Sequence, residues 1–465
     1  MNNATKRLMI AGTGSGSGKT TITVAILAAL AELGHKAISF KCGPDYIDPM
    51  FHTRATGVES RNLDIYLMGE QGVKYALENN IDDFDIAVLE GVMGIYDGQS
   101  NTSFASSNHL SLLTDTPAVL VVNARGLARS INALISGYLN FEANNIKAIL
   151  LNNVRETSYN YYKQMIEAEQ NVPVIGHMPM VPGAEIESRH LGLVTAEEIT
   201  DLRAKIELLK AQALKTIDFD ALLRVGEMTL TPPTNHPPAT PNSLDVITPI
   251  DSPTKPRIYV SDDEAFCFYY HDNLQLLKAL GAELVTFSPL KDDALPADAD
   301  GLIFWGGYPE LYAAELAANR SMRDSLVAAI GGGLPTYAEC GGFMYLLQSL
   351  TDAEGAVHQM LGVLPGGSSM TDRLQDFGYF EITANRDTLL CAAGQSINAH
   401  FFHYAKGDFE GDAFTATKRD GKTLQTIFAT DNVFAGFQHL HFYGNPEFAR
   451  NFVAACAAYR KARHD

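Results

Sequence analysis

Six apolar, strand-length runs punctuate the first half of the chain: RLMIAG (7–12), AISFKC (37–42), DIAVLEG (85–91), AVLVVNA (118–124), IKAILLNN (146–153) and VPVIGHM (172–178). Between them lie stretches such as TTITVAILAALAELG (20–34), whose apolar residues recur at helical spacing. Near-continuous apolar strands alternating with helices predict a parallel, doubly wound α/β sheet, which takes its ligands at the carboxyl ends of its strands. The same alternation returns downstream in RIYVSDD (257–263), LQLLKALG (274–281), ELVTFSP (283–289), GLIFWGG (301–307) and PTYAECGG (335–342). Both halves therefore read as α/β.

The pattern breaks once. Residues 231–256 (TPPTNHPPATPNSLDVITPIDSPTKP) hold eight of the chain's twenty prolines and few large apolar side chains. Such a segment cannot continue a helix or a central strand, and it reads as a semi-rigid linker. Two domains are expected, 1–230 and 257–465, with 231–256 between them. A chain of 465 residues, 46% of them hydrophobic, has enough apolar material for both cores.

Composition narrows the class. Five cysteines without close pairs argue against a disulfide framework and for a reducing, cytoplasmic setting. The start, MNNATKRLMIAG, passes from two basic residues into a strand and does not read as a signal peptide. No stretch approaches the ~18 apolar residues of a membrane span. A net charge of −19 makes nucleic acid an unsuitable partner, and an acidic substrate would need a local cluster of arginines.

Two local patterns carry chemistry. AGTGSGSGKTT (11–21) is a glycine-rich loop between a strand and a long helix. The strict phosphate-loop pattern is G-x4-G-K-[ST]; here five residues separate Gly12 from Gly18, and Thr13 stands where the first glycine would be. Gly14, Gly16 and Gly18 still let backbone N–H groups turn inward around phosphates, together with Ser17 and Thr21. Lys19 would neutralise the outer phosphates and the Thr20 hydroxyl would meet Mg²⁺. The second pattern, GLPTYAECGGFMYLL (333–347), sets Cys340 among small residues where a strand turns into a helix. That is the geometry of a nucleophile elbow, whose backbone N–H groups, Gly341 included, can hold an oxyanion. A helix N-terminus there favours the thiolate.

Other candidates fall at strand ends of the first sheet. Lys41, in FKCGPDYIDP, can bridge a phosphate and a substrate carboxylate. Asp45 and Asp48 follow in a polar, proline-bounded loop; Glu90 closes IAVLE, a position suited to Mg²⁺; Asp97 follows in VMGIYDG. A turn or helix cap is the alternative reading of each carboxylate, with less weight at Glu90. Asn152, closing IKAILLN, can read an adenine edge or serve as a cap.

Long motifs run through the chain in order. They are GSGKTT (16–21), FKCGPDYIDPMFH (40–52), SRNLD (60–64), EGVMGIYDG (90–98), ARGLARS (124–130) and ESRHLGL (187–193), then DEAFCFYYHDNL (263–274), GGYPELYA (306–313), AECGGFMYL (338–346), RLQDFGY (373–379) and HLHF (439–442). In these the chain resembles the cobyrinate a,c-diamide synthase family of the cobyrinate/cobyrate amidotransferases. Around the glycine loop it is also similar to dethiobiotin synthetase. The resemblance implies a dethiobiotin-synthetase-like P-loop domain followed by a class I glutamine-amidotransferase-like domain. It implies ATP-dependent amidation of two acetate carboxylates of cobyrinate, with L-glutamine as nitrogen donor and Mg²⁺ as cofactor, and leaves a homodimer open. Hydrogenobyrinate and nickel-sirohydrochlorin are alternative substrates. A regulatory ATPase with a ligand-binding glutaminase-like half is the alternative of another class.

The family's pattern also assigns roles. Cys340 would attack the glutamine amide and His439 would be its base. The usual orienting Glu, two residues after that His, is replaced by His441. His400 and His403 are weaker candidates. Gly306 and Gly307 resemble the second oxyanion element, with Trp305 where relatives carry another glycine. Tyr46, Asp45, Asp97, Arg189 and His190 would contact the substrate, with Arg54, Arg61, Arg125 and Arg129 as further cationic candidates.

Overall fold

The computed structural model describes residues 5–185, 188–189, 192–193, 201–228, 244, 247–252 and 254–464, with the backbone alone at 188–189 and 192–193. The chain forms two compact units: residues 1–65 with 70–237, and residues 66–69 with 238–465. Most of the proline-rich stretch lies outside the described residues.

The first unit is built on β1 (Lys6–Gly12), β2 (Ala37–Cys42), β3 (Arg61–Leu63), β4 (Ile86–Glu90), β5 (Ala118–Asn123), β6 (Ile146–Asn152) and β7 (Val174–Met178). These strands pair in the order β3-β2-β4-β1-β5-β6-β7, every pair parallel. The six runs read from the sequence are present, and the short edge strand β3 is an addition. β1 is hydrogen-bonded to β4 and β5, so the carboxyl ends of β1, β2 and β4 open together at one crevice, as in other doubly wound sheets. Helix α1 (Lys19–Glu32) leaves β1 through the glycine loop, and α2 (Ile47–Thr56) follows β2. α1 is apolar all round because it is buried all round: Ile22, Val24, Ile26, Leu27 and Leu30 have no exposure. Two short strands, β8 (Ser188–Arg189) and β9 (Gly192–Leu193), pair separately.

The second unit contains two sheets. The first holds β10 (Arg257–Ser261), β11 (Glu283–Phe287), β12 (Gly301–Phe304), β13 (Thr336–Glu339), β20 (Phe428–Ala429) and β21 (Val433–Gly436), in the order β11-β10-β12-β13-β21-β20. It is parallel except for the edge strand β20. The other sheet is mixed and was not foreseen. It comprises β14 (Ser349–Thr351), β15 (Val357–Gln359), β16 (Gly367–Ala384), β17 (Ser396–Gly407) and β22 (Gln438–Leu440), with β18 (Phe414–Thr417) and β19 (Thr423–Thr426) beside β16. The chain crosses from the first sheet to the second between Gly436 and Gln438, which delivers His439 onto a strand paired with β17.

Candidate functional site

Two clusters of reactive side chains result, one in each unit.

In the first unit the glycine loop wraps back on itself. Gly16 and Gly18 adopt φ values of 72° and 96°, open to glycine and strained for other residues. A methyl group on Gly18 would also collide with the Asn152 amide. Lys19 Nζ donates to the carbonyls of Gly14 (3.1 Å) and Met93 (2.6 Å), which closes the loop against the segment after β4. Burial, aided by nearby Lys41, pulls the Lys19 ammonium below its ordinary value, so it gains from an arriving anion.

Behind the loop, Lys41 at the end of β2 is ion-paired with Asp48 and lies 2.9 Å from Glu90 Oε1. Thr20 Oγ1 donates to Glu90 Oε1 (2.8 Å) and Asp48 Oδ2 (3.2 Å). Lys41, Asp48 and Glu90 are all buried, so these charges depend on one another. Burial opposes the Lys41 charge, but Asp48 and Glu90 outweigh it and hold the ammonium well above its ordinary range. Burial likewise opposes the Glu90 charge, but Lys41 and His52 hold that carboxyl well below its usual range. Burial and the carboxylates of Asp45 and Glu90 push Asp48 upward, and its Oδ1 is buried without a hydrogen-bond partner. An acceptor in that state is stabilised by one more cation, and this fits Mg²⁺ beside Thr20. Among the described residues no group of three or more His, Cys, Asp and Glu could hold a metal by itself.

The sequence reading missed His52. It sits four residues after Asp48 on α2, fully buried, with Nε2 2.6 Å from Glu90 Oε2 and Nδ1 3.3 Å from Ser60 Oγ. The i,i+4 spacing of Asp48 and His52 on one helix face was the available signal.

The remaining candidates separate. Asp45 Oδ1 accepts from the Ile47 (2.8 Å) and Asp48 (3.2 Å) N–H groups, so it caps the start of α2. Asp97 is exposed and accepts from the Gly94 N–H at 2.8 Å within its own turn. Asn152 uses both ends of its amide locally: it donates to the Ser17 carbonyl (2.8 Å) and accepts from the Asn153 N–H (2.9 Å), fastening β6 to the loop. A second N–H and a second oxygen lone pair of the amide remain for a further partner. Tyr46 is half-buried just before α2. Arg54, Arg125 and Arg129 are exposed, and Arg129 pairs with Glu169 at 3.0 Å. The Arg189 side chain and all of His190 lie outside the described residues.

In the second unit Cys340 directly follows β13 and stands at the N-cap of the helix Gly341–Leu346 with φ 45° and ψ −104°. This is a strained turn for a residue with a Cβ, held by the Cys340 N–H donating to the Gly436 carbonyl at 2.7 Å. Gly341 and Gly307 come together: a Cβ on Gly341 would lie 3.1 Å from the Gly307 nitrogen and 2.8 Å from Pro309 Cδ. Gly307 itself has no room for a side chain, because a Cβ there would meet the Ala265 carbonyl. His439 is buried, and a Cβ on Gly306 would stand 2.8 Å from its Cε1. Burial alone would keep His439 neutral, but the Cys340 thiolate and the Glu339 carboxylate push it up to about 10. The imidazolium form of His439 is therefore favoured beside Cys340.

His439 lies opposite His400 in the β17–β22 register. His400, His403 and His441 are buried, and burial pushes them down to about 3, about 4 and about 3. They stay neutral around the charged pair. Trp305 is fully buried, its ring edge-on to Tyr337 with centroids 6.0 Å apart, so it forms part of the wall behind β13. Glu339, also unforeseen, is buried beside His439, with Oε2 3.5 Å from Nδ1.

Residues 8–194 match the family described as the CobQ/CobB/MinD/ParA nucleotide binding domain, and residues 257–447 match the CobB/CobQ-like glutamine amidotransferase domain. Over its length the chain is similar to proteins named cobyrinate a,c-diamide synthase. That of Priestia megaterium is 38% identical over 471 residues, covering 99% of each chain. That of Dehalococcoides mccartyi (strain CBDB1) is 39% identical over 458 residues, 96% of this chain and 97% of the relative. That of Salmonella typhimurium is 38% identical over 455 residues, with the same coverage.

Proposed function

The chain belongs to the cobyrinate a,c-diamide synthase family, and from that premise we propose how its two clusters divide the amidation of cobyrinate. It is a glutamine-dependent ligase of cobalamin biosynthesis, with a nucleotide-binding domain and a glutamine amidotransferase domain. The observation that carries the division is one chain bearing both a buried Lys19–Lys41–Asp48–Glu90 cluster and a Cys340–His439 pair.

A carboxylate resists ammonia because its leaving group would be oxide. In the first unit, phosphoryl transfer from ATP to an acetate of the corrin ring would give an acyl phosphate, whose leaving group is phosphate. The glycine loop and Lys19 would hold the outer phosphates, while Lys41 offsets the charge that builds between phosphate and acetate. Thr20, Asp48 and Glu90 are the residues that would hold Mg²⁺, which when bound neutralises phosphate charge. Tyr46, Asp45, Asp97, Arg189 and His190 belong to the same reading as substrate contacts, with Asn152 as a contact to the nucleotide.

In the second unit the Cys340 thiolate would attack the side-chain amide carbon of glutamine. The oxyanion would fall between the N–H groups of Gly307 and Gly341, and His439 would hand its proton to the departing nitrogen. Ammonia leaves, a thioester remains, and water activated by His439 hydrolyses it to glutamate. The same reading puts the enzyme in the cytoplasm.

Ring size and metal are read by pocket shape, so the substrate test is a panel. With glutamine and ATP, ADP release should be stimulated by cobyrinate far more than by hydrogenobyrinate or nickel-sirohydrochlorin. Equal or greater stimulation by either alternative would reassign the substrate.

A further inference from the structure

We propose that Glu339, the residue immediately before the nucleophile, is the carboxylate that orients His439, and that Tyr337 and the Leu440 N–H hold it in position. The proposal rests on the glutaminase reading of this site and adds a positioning pair to it.

A histidine that must take and return a proton works best when its second ring nitrogen is tied, because the tie fixes tautomer and ring plane. Two residues after His439 stands His441, which cannot supply the tie. Its ring is buried and neutral, its Nδ1 accepts from the Tyr443 N–H at 3.3 Å, and it packs on Tyr270 with centroids 5.0 Å apart. Glu339 meets the requirement. One oxygen, Oε1, accepts from the Tyr337 hydroxyl and from the Leu440 N–H at 2.9 Å; the other, Oε2, lies 3.5 Å from His439 Nδ1. The separation exceeds a hydrogen bond by a few tenths of an ångström, and such contacts tighten when a catalytic site is occupied.

Neighbouring residues on a strand send their side chains to opposite faces, so Glu339 and Cys340 should not be able to address one imidazole. The turn at Cys340, with φ 45° and ψ −104°, removes that obstacle by swinging the thiol out of the pleat. The strained elbow thus serves two purposes, exposing the nucleophile and letting adjacent residues reach the same ring. The other titratable groups around His439 do not compete. His400 and His403 on β17 and His441 beyond β22 are neutral, and burial together with Glu339 pushes the Tyr337 hydroxyl far up, keeping it a donor.

The test uses the full-length enzyme and two variants, Glu339→Gln and Tyr337→Phe, with glutamine hydrolysis and Cys340 alkylation by iodoacetamide followed against pH. Alkylation is read from the peptide containing Cys340, because the chain has four other cysteines. Glu339→Gln should lower glutamine turnover by up to roughly 10⁴-fold, the loss seen when the orienting carboxylate of a catalytic triad is amidated. It should also move the alkylation midpoint to higher pH, since the imidazolium that stabilises the thiolate loses its partner. Tyr337→Phe should shift both readouts the same way, by about tenfold or less in turnover. A folding defect would lower the unfolding temperature without moving the midpoint in the folded fraction. Turnover within twofold of wild type, or an unmoved midpoint, in folded Glu339→Gln overturns the proposal. If Cys340→Ala itself retains glutamine turnover, the underlying site assignment falls instead, a distinguishable result.

Discussion

Lys41 and Glu90 show how much one buried charge can depend on another. Each is fully desolvated, and each remains ionised because of its neighbours, Lys41 through Asp48 and Glu90, and Glu90 through Lys41 and His52. Removing one partner leaves an uncompensated charge, a change that costs about 3–5 kcal/mol in buried pairs. Glu90→Gln and Asp48→Asn should therefore slow amidation by on the order of 10²-fold while glutamine hydrolysis in the second unit continues. The ratio of glutamate formed to amide formed reports this: it should rise in both variants, and an unchanged ratio with both rates falling together makes these carboxylates structural. Lys19→Ala should abolish ATP turnover and amide formation while sparing glutaminase activity. ATP hydrolysis at the wild-type rate would remove the loop from the nucleotide site. Lys19, Thr20 and Cys340 were legible in the sequence because each sits inside a contiguous motif whose spacing carries its own chemistry. His52 and Glu339 were not, since their importance comes from residues 38 and 100 positions away, Glu90 and His439.

At the scale of elements, the sheet strands near both clusters were legible because they are short, apolar and bounded by glycine, proline or polar turns. The long ribbon of β16 and β17 was not. Its outward face carries polar residues, and its register shifts between Met370 and Gln375 and again between Gln375 and Gly378, so no clean alternation survives. The crossing that carries His439 from one sheet to the other is likewise a tertiary event with no local signature. The elbow itself is tightly packed: a Cβ on Gly342 would stand 2.5 Å from Phe304 Cβ and 2.6 Å from its carbonyl oxygen. Gly342→Ala should thus destabilise the second unit by about 1–3 kcal/mol, as overpacking does. Gly341→Ala sets its Cβ against the Pro309 ring and the Gly307 nitrogen, and should reduce glutamine turnover in addition to stability by crowding the oxyanion position. Denaturant midpoints and turnover for the two variants separate these effects; a Gly342→Ala midpoint equal to wild type contradicts the packing argument.

For the molecule as a whole, buried histidines set a pH window for stability. His400, His403 and His441 are lowered to between about 3 and about 4, so in the range from about 6.5 downward the unfolded chain takes protons that the folded chain refuses. Stability falls with pH there, by roughly 1–1.5 kcal/mol per histidine at about pH 5.5 and about 4 kcal/mol for the three. His439 has the opposite sign: raised to about 10, its contribution is complete below about 6.5 and is lost as pH climbs toward 10. Thermal unfolding should show the second unit most stable near neutrality, with transitions shifted down on both sides; a flat profile from about pH 5 to 7 would mean these histidines are not buried neutral. The two-unit plan was visible in the alternation and the proline-rich break, and the net charge of −19 pointed away from nucleic acid. The acceptor ring was not visible at that level, because its contacts belong to the folded surface.

The central claim is that one chain runs two separable half-reactions, ammonia release at Cys340 and carboxylate activation at the Lys19–Lys41 cluster. Amide formation by Cys340→Ala, measured with glutamine and then with high ammonia at fixed ATP and cobyrinate, addresses it directly. The account predicts no product with glutamine and a rate with ammonia close to that of the wild-type enzyme. Comparable loss with both nitrogen donors, or undiminished use of glutamine, would contradict it.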